Sequence, residues 1–172
     1  RQCLDGVMMQ KSDFEFEVLI HDDASTDRTV EILREYQGKH PDTIHLICQI
    51  ENQFSLGRGF AGLKLLFESA KGEYIAYCEG DDYWTDPLKL QKQVDFLEAH
   101  PNYVICYHDA KTIDETGSSV VRNGRETDDV LMPSARADFS ADELKHGEQS
   151  IATLSTCFRN VFKSNGFPEE FC

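Results

Sequence analysis

The segment YIAYCEGDDYWTDP, residues 74–87, changes abruptly from apolar to acidic composition. Its first five residues form an apolar run of the kind that fills a buried strand. The acidic segment EGDD, residues 79–82, follows directly. Asp86 and Pro87 come next, and they are suited to the cap and the first residue of a helix. The segment therefore predicts a strand, an acidic loop and a helix in direct succession.

The same order recurs on both sides of this segment. Apolar and β-branched runs predict four strands, at residues 16–23, 43–49, 73–78 and 103–110. Apolar residues at helical spacing, closed by Gly or Pro, predict helices at residues 24–41, 60–72 and 87–100. Strands that alternate with helices are typical of an α/β fold with a mostly parallel sheet.

The start and the last third of the chain are less regular. Residues 1–10 have the pattern of the middle of an amphipathic helix, so we interpret the chain as a fragment of one domain, residues 1–172. The remaining predictions are a turn at 114–119, a polar loop at 122–139, a capped short helix at 140–147 and one or two strands at 150–162.

Composition limits the classes of partner. Asp and Glu number 31 against 17 Lys and Arg, and the net charge is −14 at pH 7. This negative charge argues against binding of nucleic acid and against broad binding of anionic membranes, because both need basic patches on the protein. The six cysteines form no C-x-x-C pair, and neither a signal peptide nor a membrane-length apolar run occurs, which favours a reducing cytoplasm.

Two acidic clusters follow predicted strands. Asp22 and Asp23 end the first strand, and EGDD at 79–82 ends the third. Open α/β sheets bind ligands at the carboxyl ends of their strands, so we expect the two clusters to share one site. Asp22 and Asp23 also suit helix capping, and EGDD also suits a plain polar loop. Because Mg²⁺ and Mn²⁺ prefer oxygen ligands, the functional interpretation of EGDD is a divalent-cation site.

Four segments occur in an informative order: VLIHDDASTDRT, NQFSLGRG, AKGEYIAYCEGDDYWTDP and LQKQVDFLEAHP. Together they resemble the inverting family 2 glycosyltransferases, which have the GT-A fold, over residue 1 to about residue 159. The resemblance implies hexosyl transfer, with inversion, from a nucleotide-diphosphate sugar, with UDP the expected nucleotide, to a glycan or lipid-linked acceptor. It also implies Mn²⁺ or Mg²⁺ and bacterial polysaccharide assembly, in the cytoplasm or peripherally on the cytoplasmic face of the inner membrane.

The resemblance further implies roles for individual acids. Asp23, supported by Asp22, would bind the uracil or other base of the donor. Asp82 would hold the metal that bridges the diphosphate, and Asp81 would contact the ribose or the metal. Glu79 occupies the leading position of the D-x-D-type motif.

Further positions follow from the same resemblance. Arg58 matches a basic position that often lies near the nucleotide, whereas Lys64 stands where many relatives have Asn. His108 and Asp109 end the fourth predicted strand, where contacts with the acceptor are common.

Two parts of the family pattern are expected outside this sequence. One is the first strand of the fold, which precedes residue 1. The other is the catalytic base, usually an Asp shortly after a segment like GFPEEF, which we expect beyond Cys172, with Glu169 and Glu170 as its lead-in. A module that binds nucleotide-sugar without catalysis therefore remains the alternative function.

Two other classes fit poorly. A phospho-receiver domain also has acids after its first strand, but it needs a lysine at a later strand end, and CYHDA, residues 106–110, supplies none. A calcium loop counted from Asp23 would place Arg28 at its glycine position and Arg34 at its closing glutamate position.

Overall fold

The computed structural model describes residues 1–114, 116–118, 121–122, 125–126, 151–166 and 168. The chain divides into two compact units. The first unit contains Arg1, Ser12–Ile75 and the segment from Arg159 onward. The second unit contains Gln2–Lys11 and Ala76–Phe158. The prediction that all 172 residues belong to one transferase domain stays a prediction.

Helices and strands alternate through the described chain. The helices are α1 (Gln2–Met8), α2 (Thr29–Lys39), α3 (Ala61–Ser69), α4 (Lys89–Ala99) and α5 (Phe162–Asn165). The strands are β1 (Val18–Asp22), β2 (Ile44–Cys48), β3 (Tyr74–Ala76), β4 (Ile105–Cys106), β5 (Val121–Arg122), β6 (Arg125–Glu126) and β7 (Cys157–Arg159). A 3₁₀ turn, Thr153–Ser155, precedes β7.

The first unit is built on a parallel pair of strands. β1 and β2 pair in register from Val18 opposite Ile44 to Asp22 opposite Cys48. Ile44 is fully buried, and Leu33 and Tyr36 of α2 are buried as well. Because Leu33 and Tyr36 are three positions apart, they lie on one face of the helix. This packing fixes the strand end that carries the first acidic cluster.

The second unit is built around α4. Its buried face carries Lys89, Leu90, Gln93 and Leu97, of which Leu97 is fully buried. Strands β4 and β7 of this unit pair antiparallel, with Ile105 opposite Phe158 and Cys106 opposite Cys157.

The start of α4 is fixed by polar contacts. The Asp86 carboxylate accepts a hydrogen bond from the Leu88 backbone N–H at 2.8 Å, but α4 begins at Lys89 with Leu88 at its N-cap and no side-chain cap, so the prediction of Asp86 as cap and Pro87 as first helical residue is wrong by two residues. Gln10, which follows α1, is buried and forms hydrogen bonds with α1 and with residues on both sides of the start of α4. Its amide donates to the Gly6 and Asp86 carbonyls, and its Oε1 accepts from the Leu90 N–H.

The α/β class and the parallel sheet are confirmed. The turn predicted at 114–119 is present, because the Asp114 carboxylate accepts from the Thr116 and Ser118 N–H groups. The strand predicted within 150–162 is β7, preceded by the 3₁₀ turn and followed by α5. The helix predicted at 140–147 and most of the loop at 122–139 lie outside the described residues. Within the described part of the chain, no helix is both long and apolar enough to cross a membrane.

Candidate functional site

Asp22 lies at the end of β1 and is buried. Its Oδ2 accepts a hydrogen bond from the Ser25 N–H at 3.1 Å, and its carbonyl accepts from the Gln49 N–H at 2.9 Å. The Asp27 carboxylate bonds to the Thr29 N–H at 2.9 Å, at the first residue of α2. Asp22 and Asp27 therefore fix the turn between β1 and α2, although Arg28 is the N-cap of α2 and no side chain caps that helix.

Asp23 holds the loop that follows β2. Its two carboxylate oxygens accept hydrogen bonds from the Gln53 N–H at 2.7 Å and the Phe54 N–H at 2.9 Å. The hydrogen bonds from Phe54 and Gln53 hold the pKa of Asp23 below its usual value. The next residue, Ala24, has a φ of +58°, a left-handed conformation that side chains with a Cβ disfavour. The strained turn directs Asp23 toward the loop, where it stays ionised at neutral pH.

The two basic positions of the first unit have separate contacts. Arg58 belongs to the loop held by Asp23, and its guanidinium lies 3.4 Å from the Gln53 Oε1. Lys64 lies on α3 and forms an ion pair with Glu68 at 3.7 Å. Arg58 is exposed, so its charge faces solvent beside the loop.

In the second unit, EGDD forms a tight turn in which the Asp82 N–H donates to the Glu79 carbonyl at 3.1 Å. Burial, followed by the charge of Asp81, raises the pKa of Asp82. Burial also raises the pKa of Glu79, and a hydrogen bond from Thr153 opposes the change. The Glu79 Oε2 is buried and has no hydrogen-bond partner among the described residues. The turn thus concentrates carboxylates that are poorly solvated and mutually repulsive.

This turn fits a cation that also uses ligands from outside the protein. Among the described residues, no group of three or more His, Cys, Asp and Glu side chains is placed to hold a metal on its own. Mg²⁺ is commonly held by one or two carboxylates together with substrate phosphates. The orphaned Glu79 Oε2 and the raised pKa values of Glu79 and Asp82 are the features that a cation would relieve.

The aromatic residues after EGDD differ in environment. Trp84 is buried, and its indole N–H donates to the Leu154 carbonyl at 2.8 Å, so it belongs to the core. Tyr83 lines an open pocket of about 440 Å³ together with Met9 and residues of α1. None of the EGDD acids lines that pocket.

His108 and Asp109 lie in the second unit, just after β4. The His108 Nδ1 lies 2.7 Å from the Asp109 carbonyl, and its Nε2 is buried without a described partner. Burial lowers the pKa of His108, so the imidazole is neutral at neutral pH. Asp109 is exposed. A neutral imidazole beside an exposed carboxylate suits hydrogen bonding to hydroxyl groups.

Sequence reasoning missed Lys89, whose side chain is buried under Trp84. The Nζ lies 3.8 Å from the centre of the Trp84 ring and donates to the Thr156 carbonyl at 3.4 Å. The sequence signal for the burial of Lys89 was its spacing from the other buried positions, because residues 89, 93 and 97 fall on one face of a helix.

Sequence reasoning also missed a contact between cysteines. The Sγ atoms of Cys3 and Cys78 lie 3.9 Å apart, and both thiols donate to the Glu79 carbonyl. No sequence signal connects two residues that are 75 positions apart.

Comparison with known proteins decides the family. The sequence profile of glycosyl transferase family 2 matches residues 1–160. The chain belongs to this family. Membership confirms the resemblance and the GT-A fold.

Individual relatives agree with this assignment. An uncharacterized protein of Mycobacterium tuberculosis is 43% identical over 160 residues, which are 92% of this chain and 42% of the relative. The putative glycosyltransferase EpsE of Bacillus subtilis is 37% identical over 71% of this chain and 41% of its own length. An Escherichia coli protein named UDP-Glc:alpha-D-GlcNAc-diphosphoundecaprenol beta-1,3-glucosyltransferase is 34% identical over 52% of this chain and 35% of its own length. The chain thus spans about two fifths of the first two relatives.

Proposed function

We propose that the chain contributes the donor-binding part of an enzyme that moves a hexosyl group from a nucleotide-diphosphate sugar to a glycan or lipid-linked acceptor. UDP is the proposed nucleotide, and the configuration at the transferred sugar is inverted. The observation that carries the proposal is the EGDD turn, where Glu79 has a buried oxygen without a hydrogen-bond partner in the described part of the chain, and burial raises the pKa values of Glu79 and Asp82. A family 2 member whose acidic side chains lie this close together is suited to bind a divalent cation together with a diphosphate.

The proposed roles divide between the acids. Asp82 and Asp81 hold Mn²⁺ or Mg²⁺, and Glu79 accepts hydrogen bonds from the donor or from water on the metal. Bound there, the cation supplies Lewis-acid stabilisation of the departing nucleoside diphosphate. Asp82 and Asp81 fix the diphosphate end of the donor and limit its motion, which lowers the entropic part of the barrier.

The nucleoside end is assigned to the first unit. Asp23 accepts from loop N–H groups with both oxygens and keeps further lone pairs for a base N–H. Asp22 supports it from its buried position, and Arg58 supplies an exposed positive charge.

Acceptor binding is assigned to His108 and Asp109. Since its Nδ1–H donates to the Asp109 carbonyl, a neutral His108 keeps Nε2 as an acceptor for a sugar hydroxyl and brings no charge into the site. The catalytic base is proposed to lie beyond Cys172. The relatives named for polysaccharide and diphosphoundecaprenol chemistry support assembly of a bacterial surface polymer in the cytoplasm or at the cytoplasmic face of the inner membrane.

Calorimetric titration of UDP with and without Mn²⁺ tests the site. We expect Mn²⁺ to strengthen UDP binding and Asp82→Ala to remove at least about tenfold of that metal-dependent affinity. Asp42→Ala, an exposed acid in the first unit, is the control and should bind as the wild type does. Metal-dependent binding that survives Asp82→Ala would refute the role of Asp82. Donor binding without sugar transfer in the full-length protein would instead indicate the non-catalytic module.

A further inference from the structure

The loop between β2 and α3 exposes large apolar side chains. The exposed fractions of Ile50, Phe54 and Leu56 are 96%, 77% and 53%. Side chains of these types are usually buried, and exposed clusters of them commonly mark binding surfaces.

The loop itself is tightly held. Besides the two bonds from Asp23 to the Gln53 and Phe54 N–H groups, the Asn52 amide donates to the Asp23 carbonyl at 2.8 Å. The Gly57 N–H donates to the Phe54 carbonyl at 3.0 Å, and Gly57 has a φ of +76°, which suits glycine. Phe54 is therefore exposed on a backbone fixed at both its N–H and its carbonyl.

One side of the Phe54 ring is supported and the rest is open. A Cβ added at Gly59 would lie 3.4 Å from Cδ2 and 3.8 Å from Cε2 of Phe54, so the Gly59 backbone lies against the ring. Gly59 thus approaches one side of the ring with room for an ordinary van der Waals contact. Most of the Phe54 side chain is exposed, its N–H is bonded to Asp23, and Arg58 is exposed in the same loop.

A fixed, exposed aromatic ring with a hydrogen-bond acceptor and a cation nearby suits a flat, polar heterocycle. We propose that Phe54 stacks on the nucleobase of the donor and that Asp23 acts partly as a positioning residue, by fixing the loop that carries the ring. This inference rests on the proposed function and refines its nucleotide site. Every nucleobase has a π-face, so Phe54 provides affinity with little discrimination between bases.

The test measures the affinity of UDP and ADP, each with Mn²⁺, in a set of loop variants. Stacking of one base is typically worth a change of about 5- to 100-fold on alanine substitution. We expect Phe54→Ala to weaken the binding of both nucleotides by that factor, and Phe54→Tyr to retain wild-type affinity. Phe54→Leu keeps apolar volume but lacks a π-face, and it should behave like Phe54→Ala. Leu56→Ala, in the same loop, is the matched control and should leave both affinities unchanged.

The positioning role of Asp23 requires a double-mutant cycle. If Asp23 acts through Phe54, the effects of Asp23→Asn and Phe54→Ala on UDP affinity are not additive. Additive effects would contradict the positioning role.

The outcomes separate the two proposals. Wild-type protein that binds neither nucleotide overturns the proposed function together with this inference. Normal binding by Phe54→Ala overturns only the stacking role, as does equal weakening by Leu56→Ala, which would indicate a general apolar docking surface.

Discussion

Lys89 provides a test of the electrostatics beneath the acidic turn. The side chain is only 4% exposed, and its Nζ is held by the Trp84 ring and the Thr156 carbonyl. Burial lowers the pKa of Lys89 from 10.5 to about 8. Replacement by Met keeps most of the aliphatic volume and removes the amine.

The expected magnitude follows from the change in pKa. Each pKa unit corresponds to about 1.4 kcal/mol, so burying the charged amine costs about 3 kcal/mol below pH 8. This cost is net, because the pKa already reflects the contacts that favour the charged amine, including those with the Trp84 ring and the Thr156 carbonyl. At pH 7 we therefore expect Lys89→Met to have a free energy of unfolding higher than that of the wild type, by up to about 3 kcal/mol.

The pH dependence has a defined sign. Between pH 8 and pH 10.5 the unfolded chain binds a proton at Lys89 that the folded chain has released. The contribution of Lys89 to the free energy of unfolding therefore rises with pH in this interval and is constant below it. Relative to Lys89→Met, the wild type should gain about 2–3 kcal/mol between pH 7 and pH 10.

Urea unfolding of both proteins at matched pH values measures this difference. The comparison between variants cancels the contribution of neighbouring thiols, because folding raises the pKa values of Cys78 and Cys157 and lowers the pKa of Cys106. Lys92→Met is the control, because the Lys92 side chain is 64% exposed on the same helix. Parallel pH profiles for wild type and Lys89→Met would refute the reasoning.

Two further predictions concern the backbone at Ala24 and at Gly62 in the first unit. Ala24→Gly should raise the free energy of unfolding by up to about 1 kcal/mol, because glycine relieves the φ of +58° but orders a more flexible residue. Urea unfolding checks this, and a loss of stability would show that the turn is not strained. Gly62→Ala should lower the free energy of unfolding by about 1–3 kcal/mol, because the new methyl group would overlap the His21 ring. Adding His21→Ala should recover part of that loss, and purely additive effects would argue against the overlap.

The order of elements could be predicted from sequence because it depends on local patterns. The apolar run that ends at Asp22 and the helical spacing of Val30, Leu33 and Gln37 are signals within a single element. The turn before α4 is equally local, since Asp86 bonds to the Leu88 N–H two residues later, although the helix itself begins at Lys89. Local signals of this kind carry the class of the fold.

Contacts between distant segments could not be predicted in this way. Trp84 bonds to the Leu154 carbonyl, 70 residues away, and Asp23 bonds to the Phe54 N–H, 31 residues away. These contacts decide that Trp84 is core and that Asp23 fixes a loop. The burial of Lys89 likewise follows from packing around α4, because a lysine in a helical pattern is ordinarily exposed.

The two acidic clusters show how environment separates residues that look alike in sequence. Asp23 accepts backbone N–H groups, which lower its pKa and keep it ionised without any ligand. Glu79 and Asp82 are partly buried and crowded by further acids, which raises their pKa values. A carboxylate that accepts hydrogen bonds from the protein contributes to the fold, whereas a carboxylate without such partners favours binding of an external cation. The hydrogen bonds of Asp23 therefore give it an architectural role, and the ligand-binding role of the EGDD turn stays a prediction.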